Sequence, residues 1–74
     1  MSRLVRMDHT GHTTLAEWTA ADADSVERAV RAFREELDQG CIGMVTTGPG
    51  HAEHVRELPV DADLVIMRRP IAGG

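Results

Sequence analysis

Two glycines, Gly73-Gly74, close the sequence as it stands, after Arg68-Arg69-Pro70-Ile71-Ala72. Glycine lacks a Cβ, so a Gly-Gly strip is thin enough to enter a channel that any side chain would block. A carboxylate at its tip is a handle for acyl chemistry once an ATP-using enzyme gives it a leaving group. A frayed end is the plainer reading, since domain termini are usually poorly ordered. The other chemistry-bearing residues are Cys41 and four histidines, paired as His9-x-x-His12 and His51-x-x-His54. Zinc needs about four nitrogen or sulfur ligands converging tetrahedrally, and neither pair has the spacing of a zinc signature. Surface histidines in polar segments are the expectation, and no metal site is predicted.

Cys41 follows Gly40 at the end of a helical pattern. A helix C-terminus disfavours a thiolate, so the thiol is expected to act as a small buried hydrophobe rather than a nucleophile. Asp22-Ala23-Asp24 and Asp61-Ala62-Asp63 lack the length and closing glutamate of a calcium loop. Gly48-Pro49-Gly50-His51 is glycine-rich but has no lysine, serine or threonine to complete a phosphate loop. Catalytic residues and a resident cofactor are therefore not expected.

Composition narrows the classes. Seventy-four residues make one small domain, which buries only about 60% of its unfolded surface and has little room for an enclosed active site. That favours a carrier, modifier or adaptor over an enzyme. The net charge of −4, with aromatic content of 3%, offers neither the basic patch nor the stacking platform of a nucleic-acid binder. No apolar run approaches the roughly 20 residues of a membrane span. The first residues lack the apolar core of a signal peptide, and a lone cysteine allows no internal disulfide. A cytoplasmic location is the expectation. All eight basic residues are arginine, which suits a GC-rich, bacterial genome. It also means that the chain offers no lysine to which copies of itself could be joined.

The elements that must position these groups follow from periodicity. Arg3–Met7 alternates as a strand, Asp8–Gly11 reads as a turn, and His12–Trp18 is a second strand. Thr14, Ala16 and Trp18 share one face and Thr13, Leu15 and Glu17 the other. A helix follows, with Asp24 as the expected N-cap, Asp22 as a rival, and Glu27 completing a capping box. Val26, Ala29, Val30, Phe33 and Leu37 form its apolar stripe. Gly40 is the expected C′ residue. Cys41–Thr47 reads as a third strand and Gly48-Pro49-Gly50 as a breaker. Residues 51–58 are ambiguous between strand and helix, with a strand preferred, and 59–63 form a turn. Leu64–Met67 is the most apolar run, as of a strand buried on both faces. The predicted fold is α+β: hairpin, helix and strands, one helix packed on a small mixed sheet over residues 1–70, with 71–74 a flexible tail.

This order, over the whole chain, resembles the β-grasp of ubiquitin-like proteins, a class including ubiquitin-type modifiers and the sulfur carriers of thiamin and molybdopterin synthesis. At residue level the resemblance is confined to Asp61–Gly74. The polar turn, hydrophobic last strand, proline and Gly-Gly end are similar to the sulfur carriers' finish. The Arg68-Arg69 pair is more similar to the basic tail of ubiquitin. The Met7–Thr13 segment fits neither pattern. The resemblance implies that the Gly74 carboxylate is adenylated by an ATP-dependent activating enzyme, then passed to a cysteine as a thioester and conjugated to a target amine. In the alternative it is converted to a thiocarboxylate. Gly73 and Gly74 would be the activated pair, and Arg68, Arg69, Pro70, Ile71 and Ala72 would dock on that enzyme. A conjugating enzyme and a processing protease are further implied partners. The resemblance also implies a partner surface on the exposed sheet face, to which Met44, Ile66 or Leu15 would lend an apolar patch. A third reading is a plain interaction module, a subunit or adaptor whose tail is inert.

Overall fold

The computed structural model describes residues 1–48 and 50–69. Over them the chain runs β1 (Ser2–Asp8), β2 (Gly11–Trp18), α1 (Ala23–Asp38), β3 (Ile42–Gly48), β4 (His51–Val55) and β5 (Leu64–Arg68). The five strands form one mixed sheet in the order β2-β1-β5-β3-β4. β1 and β5 are parallel, and the other neighbours are antiparallel. One helix packs on this sheet, so the fold among the described residues is α+β of the β-grasp kind, as expected. No helix among them is long and apolar enough to cross a membrane.

The helix begins one turn's fraction earlier than expected. Asp22, not Asp24, is the N-cap, and its Oδ1 accepts from the amides of Asp24 at 3.1 Å and Ser25 at 3.3 Å. Asp24 instead lies in the first turn, where its carboxylate faces the positive end of the helix dipole. Ser25 accepts from the Thr19 amide at 3.0 Å and donates to the Asp22 carbonyl, which shapes the entry to the helix. At the other end Gly40 has φ +96, a conformation suited to glycine. Its amide donates to the Leu37 carbonyl, and the Cys41 amide donates back to the Glu36 carbonyl, both at 3.0 Å. These two bonds are those of a Schellman cap, and they fold Cys41 back over the last turn.

The core lies between helix and sheet and comprises Leu4, Trp18, Ala29, Phe33, Cys41, Leu58, Val65 and Met67. Val26, Val30 and Leu37 pack against it, so the predicted stripe faces inward. Trp18 is buried, and its Nε1 donates to the Val60 carbonyl at 3.1 Å, tying β2 to the connection between β4 and β5. A Cβ on Gly43 would lie 2.7 Å from the Phe33 ring, so the aromatic sits directly on the β3 backbone.

Four further sequence expectations are corrected. β4 ends at Val55 rather than 58. Beyond it Leu58 turns into the core, and Pro59–Ala62 close a turn through a 2.9 Å bond from the Ala62 amide to the Pro59 carbonyl. β5 is buried on one face only: Val65 and Met67 are sealed off, Ile66 is half-buried and Leu64 is exposed. One helix can cover one face, so an apolar run need not mean two covered faces. β3 runs Ile42–Gly48 rather than 41–47, because Cys41 still belongs to the helix cap. In β2 the register shifts opposite Leu4/Val5, pairing Leu4 with Ala16 and Val5 with Thr14. Leu15 is the extra residue of a β-bulge and packs against the core with Ala16, so Thr14 and Ala16 no longer share a face.

Candidate functional site

Parallel pairing of β1 with β5 sets the geometry of the site. It brings the C-terminal ends of both strands to one margin of the sheet, with Arg6 beside Met67 and Met7 beside Arg68. β5 lies between β1 and β3 in the sheet, so Arg68 is anchored from both sides, to Met7 and to Ile42. The chain leaves the sheet there through Arg69, and both arginines are exposed. Of the residues expected to act, Gly73 and Gly74, with Pro70, Ile71 and Ala72, lie outside the described residues.

Around this margin the residues line a cavity of about 880 Å³: Arg6, Met7, Asp8, His9, Cys41, Arg68 and Arg69. Arg6 enters it by an indirect route. It is the partner of Met67 and so belongs to the helix-facing side of the sheet. Its Nη1 donates to Glu36 Oε1 at 3.3 Å, and Oε2 lies at 3.5 Å. The Glu36 side chain is 7% exposed and that of Arg6 38%. The carboxylate is thus sealed in while the guanidinium reaches the cavity, holding donors beyond those given to Glu36. The Cys41 thiol donates to the same Oε1 at 3.9 Å, a long sulfur contact that the helix cap brings about.

Asp8 is the acidic member of the lining. Its Oδ1 accepts from the Thr10 amide at 2.9 Å and from the Thr10 hydroxyl. Those bonds, the hydroxyl's above all, hold its carboxyl below the ordinary value of 3.8, and Arg6 and His9 add smaller pulls in the same direction. The carboxylate is therefore engaged in the β1–β2 turn.

The histidine pairs do not converge. His12 is on β2 and His51 and His54 are on β4, and these are the two outer strands of the sheet. His51 and His54, three apart on one strand, also point to opposite faces. No metal-holding cluster of His, Cys, Asp or Glu occurs among the described residues.

On the face away from the helix a row crosses all five strands: Thr14, Val5, Ile66, Met44 and His54. Val5 is 7% exposed yet stands outside the helix-side core, because it shares this row with Ile66 and Met44. Met44 and Ile66 therefore form the apolar patch considered from sequence, whereas Leu15 belongs to the core.

Sequence reasoning passed over Arg6 and Glu36. The signal for Glu36 was present, since it stands three residues after Phe33 and seven after Ala29, on the apolar stripe. A carboxylate on such a stripe requires a partner from the sheet.

No family model matches the sequence, and no curated protein or solved structure matches it at a significant level.

Proposed function

We propose that the chain is a ubiquitin-like modifier, a substrate of an activating enzyme rather than an enzyme itself. The carboxylate of Gly74 would be adenylated at the expense of ATP, transferred to a cysteine as a thioester and joined to an amine of a target protein. Where the chain continues in its source, a processing protease would first expose that carboxylate. The observation that carries this reading is the placement of β5. The strand preceding Gly73-Gly74 is held between two neighbours and delivers Arg68 and Arg69, exposed, at the sheet margin.

The division of labour follows from physical chemistry. A carboxylate is a poor acyl donor, so the chemistry belongs to the enzyme that activates it. The body of the modifier supplies binding energy that positions the tail. Arginine forks pair well with carboxylates of a partner. The row Val5, Ile66 and Met44 offers an apolar surface for the same or a later partner.

A sulfur carrier is the second reading, favoured by the sequence Pro70-Ile71-Ala72-Gly73-Gly74. The two share the first step and differ in the acceptor. The test is intact mass spectrometry of the chain with ATP, magnesium and the activating enzyme encoded nearest to it. A reducible thioester adduct, lost on deletion of Gly73 and Gly74, is the predicted result. A mass gain of about 16 Da on the chain as purified from its source, sulfur replacing oxygen, would move the assignment to the carrier. No adduct with the chain would refute both.

A further inference from the structure

The strand register twice sets a methionine directly opposite a histidine on the open face of the sheet. Met44 on β3 is the partner of His54 on β4, and Met7 on β1 is the partner of His12 on β2. Both strand pairs are antiparallel. Met44 and His54 belong to the row of Val5 and Ile66, on the face away from α1. Met7 falls on the same side of β1 as Val5, so its pair shares that face. From this placement we propose that Met44 and His54 form a binding site for a soft monovalent metal ion, Cu(I) or Ag(I), and that Met7 and His12 form a weaker site of the same kind.

Three features support it. The first is reach. Residues directly opposed on antiparallel strands hold their Cβ atoms about 4.5–5.5 Å apart. A thioether on a flexible stem and an imidazole rooted that close can turn to one ion above the sheet. The second is ligand chemistry. Thioether sulfur selects Cu(I), imidazole also suits copper, and neither brings a charge. A neutral sulfur and nitrogen set without a carboxylate fits a singly charged soft ion better than a hard divalent one. Glu53, the acid next to His54 on β4, falls on the opposite face. The third is the surroundings. Met44 is half-buried between Ile66 and His54, which restrains its thioether, whereas His54 is exposed and gives an ion access. Met7 instead has Arg68 as its other neighbour, and that cation opposes a bound one. The order of affinity follows from that difference.

The site uses no residue of the tail and no activating enzyme, so it and the modifier reading can each fail without the other.

The test is a titration of the full chain with silver nitrate in chloride-free buffer, followed by methionine methyl and histidine ring resonances. Silver keeps the preference for sulfur and nitrogen and stays in one oxidation state. Saturable shifts are expected first at Met44 and His54, then at Met7 and His12. Met44→Leu and His54→Gln should each weaken the tighter site by at least about tenfold, no less than the loss of an outer-sphere partner costs a metal site. Met44→Leu conserves volume and His54 is exposed, so both variants should unfold close to the parent. His51→Gln, on the other face of β4, should leave binding unaltered. Zn(II) should bind less tightly than silver. Cys41 carries the chain's one thiol and is buried, so a folded Cys41→Ala variant should keep both sites. Binding that survives both Met44→Leu and His54→Gln, binding lost in folded Cys41→Ala, shifts at His51 and Met1 equal to those at His54 and Met44, or Zn(II) as tight as silver would overturn the proposal.

Discussion

Arg6 and Glu36 are unequal partners, and the inequality can be measured. Arg6 is 38% exposed at its side chain and Glu36 only 7%. Removing the arginine leaves a carboxylate sealed among apolar groups, whereas removing the carboxylate lets the guanidinium turn to water. Arg6→Ala should therefore destabilise by about 2–3 kcal/mol, toward the lower end for a broken buried pair because the site is partly open. Glu36→Gln should cost less, and Arg6→Met/Glu36→Met should fall close to the parent. Urea denaturation with a common slope tests the order, and Glu36→Gln more damaging than Arg6→Ala would contradict it. Asp8 gives a pH prediction. Its folded pKa lies below 3.8 because of the bonds from Thr10. A depressed carboxyl stabilises above its unfolded value and loses that contribution as pH falls through the folded value. The Thr10 amide resonance should hold its position at neutral pH and move only below about pH 3.8; movement near pH 6 would rule out this role for Asp8.

At the scale of elements, the ends of α1 were only partly legible. Two aspartates stand two residues apart, and pattern alone favoured Asp24 over Asp22 as the cap. The structure decides for Asp22 because its Oδ1 accepts from two amides while Thr19 and Ser25 brace the approach. Asp22→Ala should cost about 1 kcal/mol and Asp24→Ala a few tenths, read from thermal unfolding. Equal losses would count against the assignment. Gly43 offers a sharper test. Phe33 is 1% exposed, so its ring has nowhere to retreat from a Cβ at 2.7 Å. Gly43→Ala should cost about 1–3 kcal/mol. The helix stripe, the hairpin and Gly40 were readable because each rests on local physics: period, turn chemistry and φ > 0. The face of Leu15 was not, since a bulge depends on the register chosen by both strands. Nor was the one-sided burial of β5, which depends on there being one helix to cover the sheet. The cluster of Arg6, His9, Cys41 and Arg68 was hidden for the same reason. Parallel pairing of the first and last strands is a long-range fact that no local pattern carries.

For the whole molecule, the β-grasp order turns a list of residues into a polar architecture with two distinct regions. One face of the sheet is closed by α1; the other carries the row Val5, Ile66 and Met44. The margin where β5 ends carries Arg68 and Arg69 and leads toward Gly73-Gly74. The central claim is that this end becomes an acyl donor to amines, and the sequence provides a direct signature. Trypsin cleaves after Arg68 but not at the Arg69-Pro70 bond. A target modified through Gly74 would retain the remnant Arg69-Pro70-Ile71-Ala72-Gly73-Gly74 on a lysine or an N-terminal amine. Tryptic mass spectrometry of proteins from the native source should find that branched remnant, and deletion of Gly73 and Gly74 should abolish it. Finding the Arg69–Gly74 peptide only with a free carboxylate or thiocarboxylate, and never attached to an amine, would contradict the assignment as a modifier.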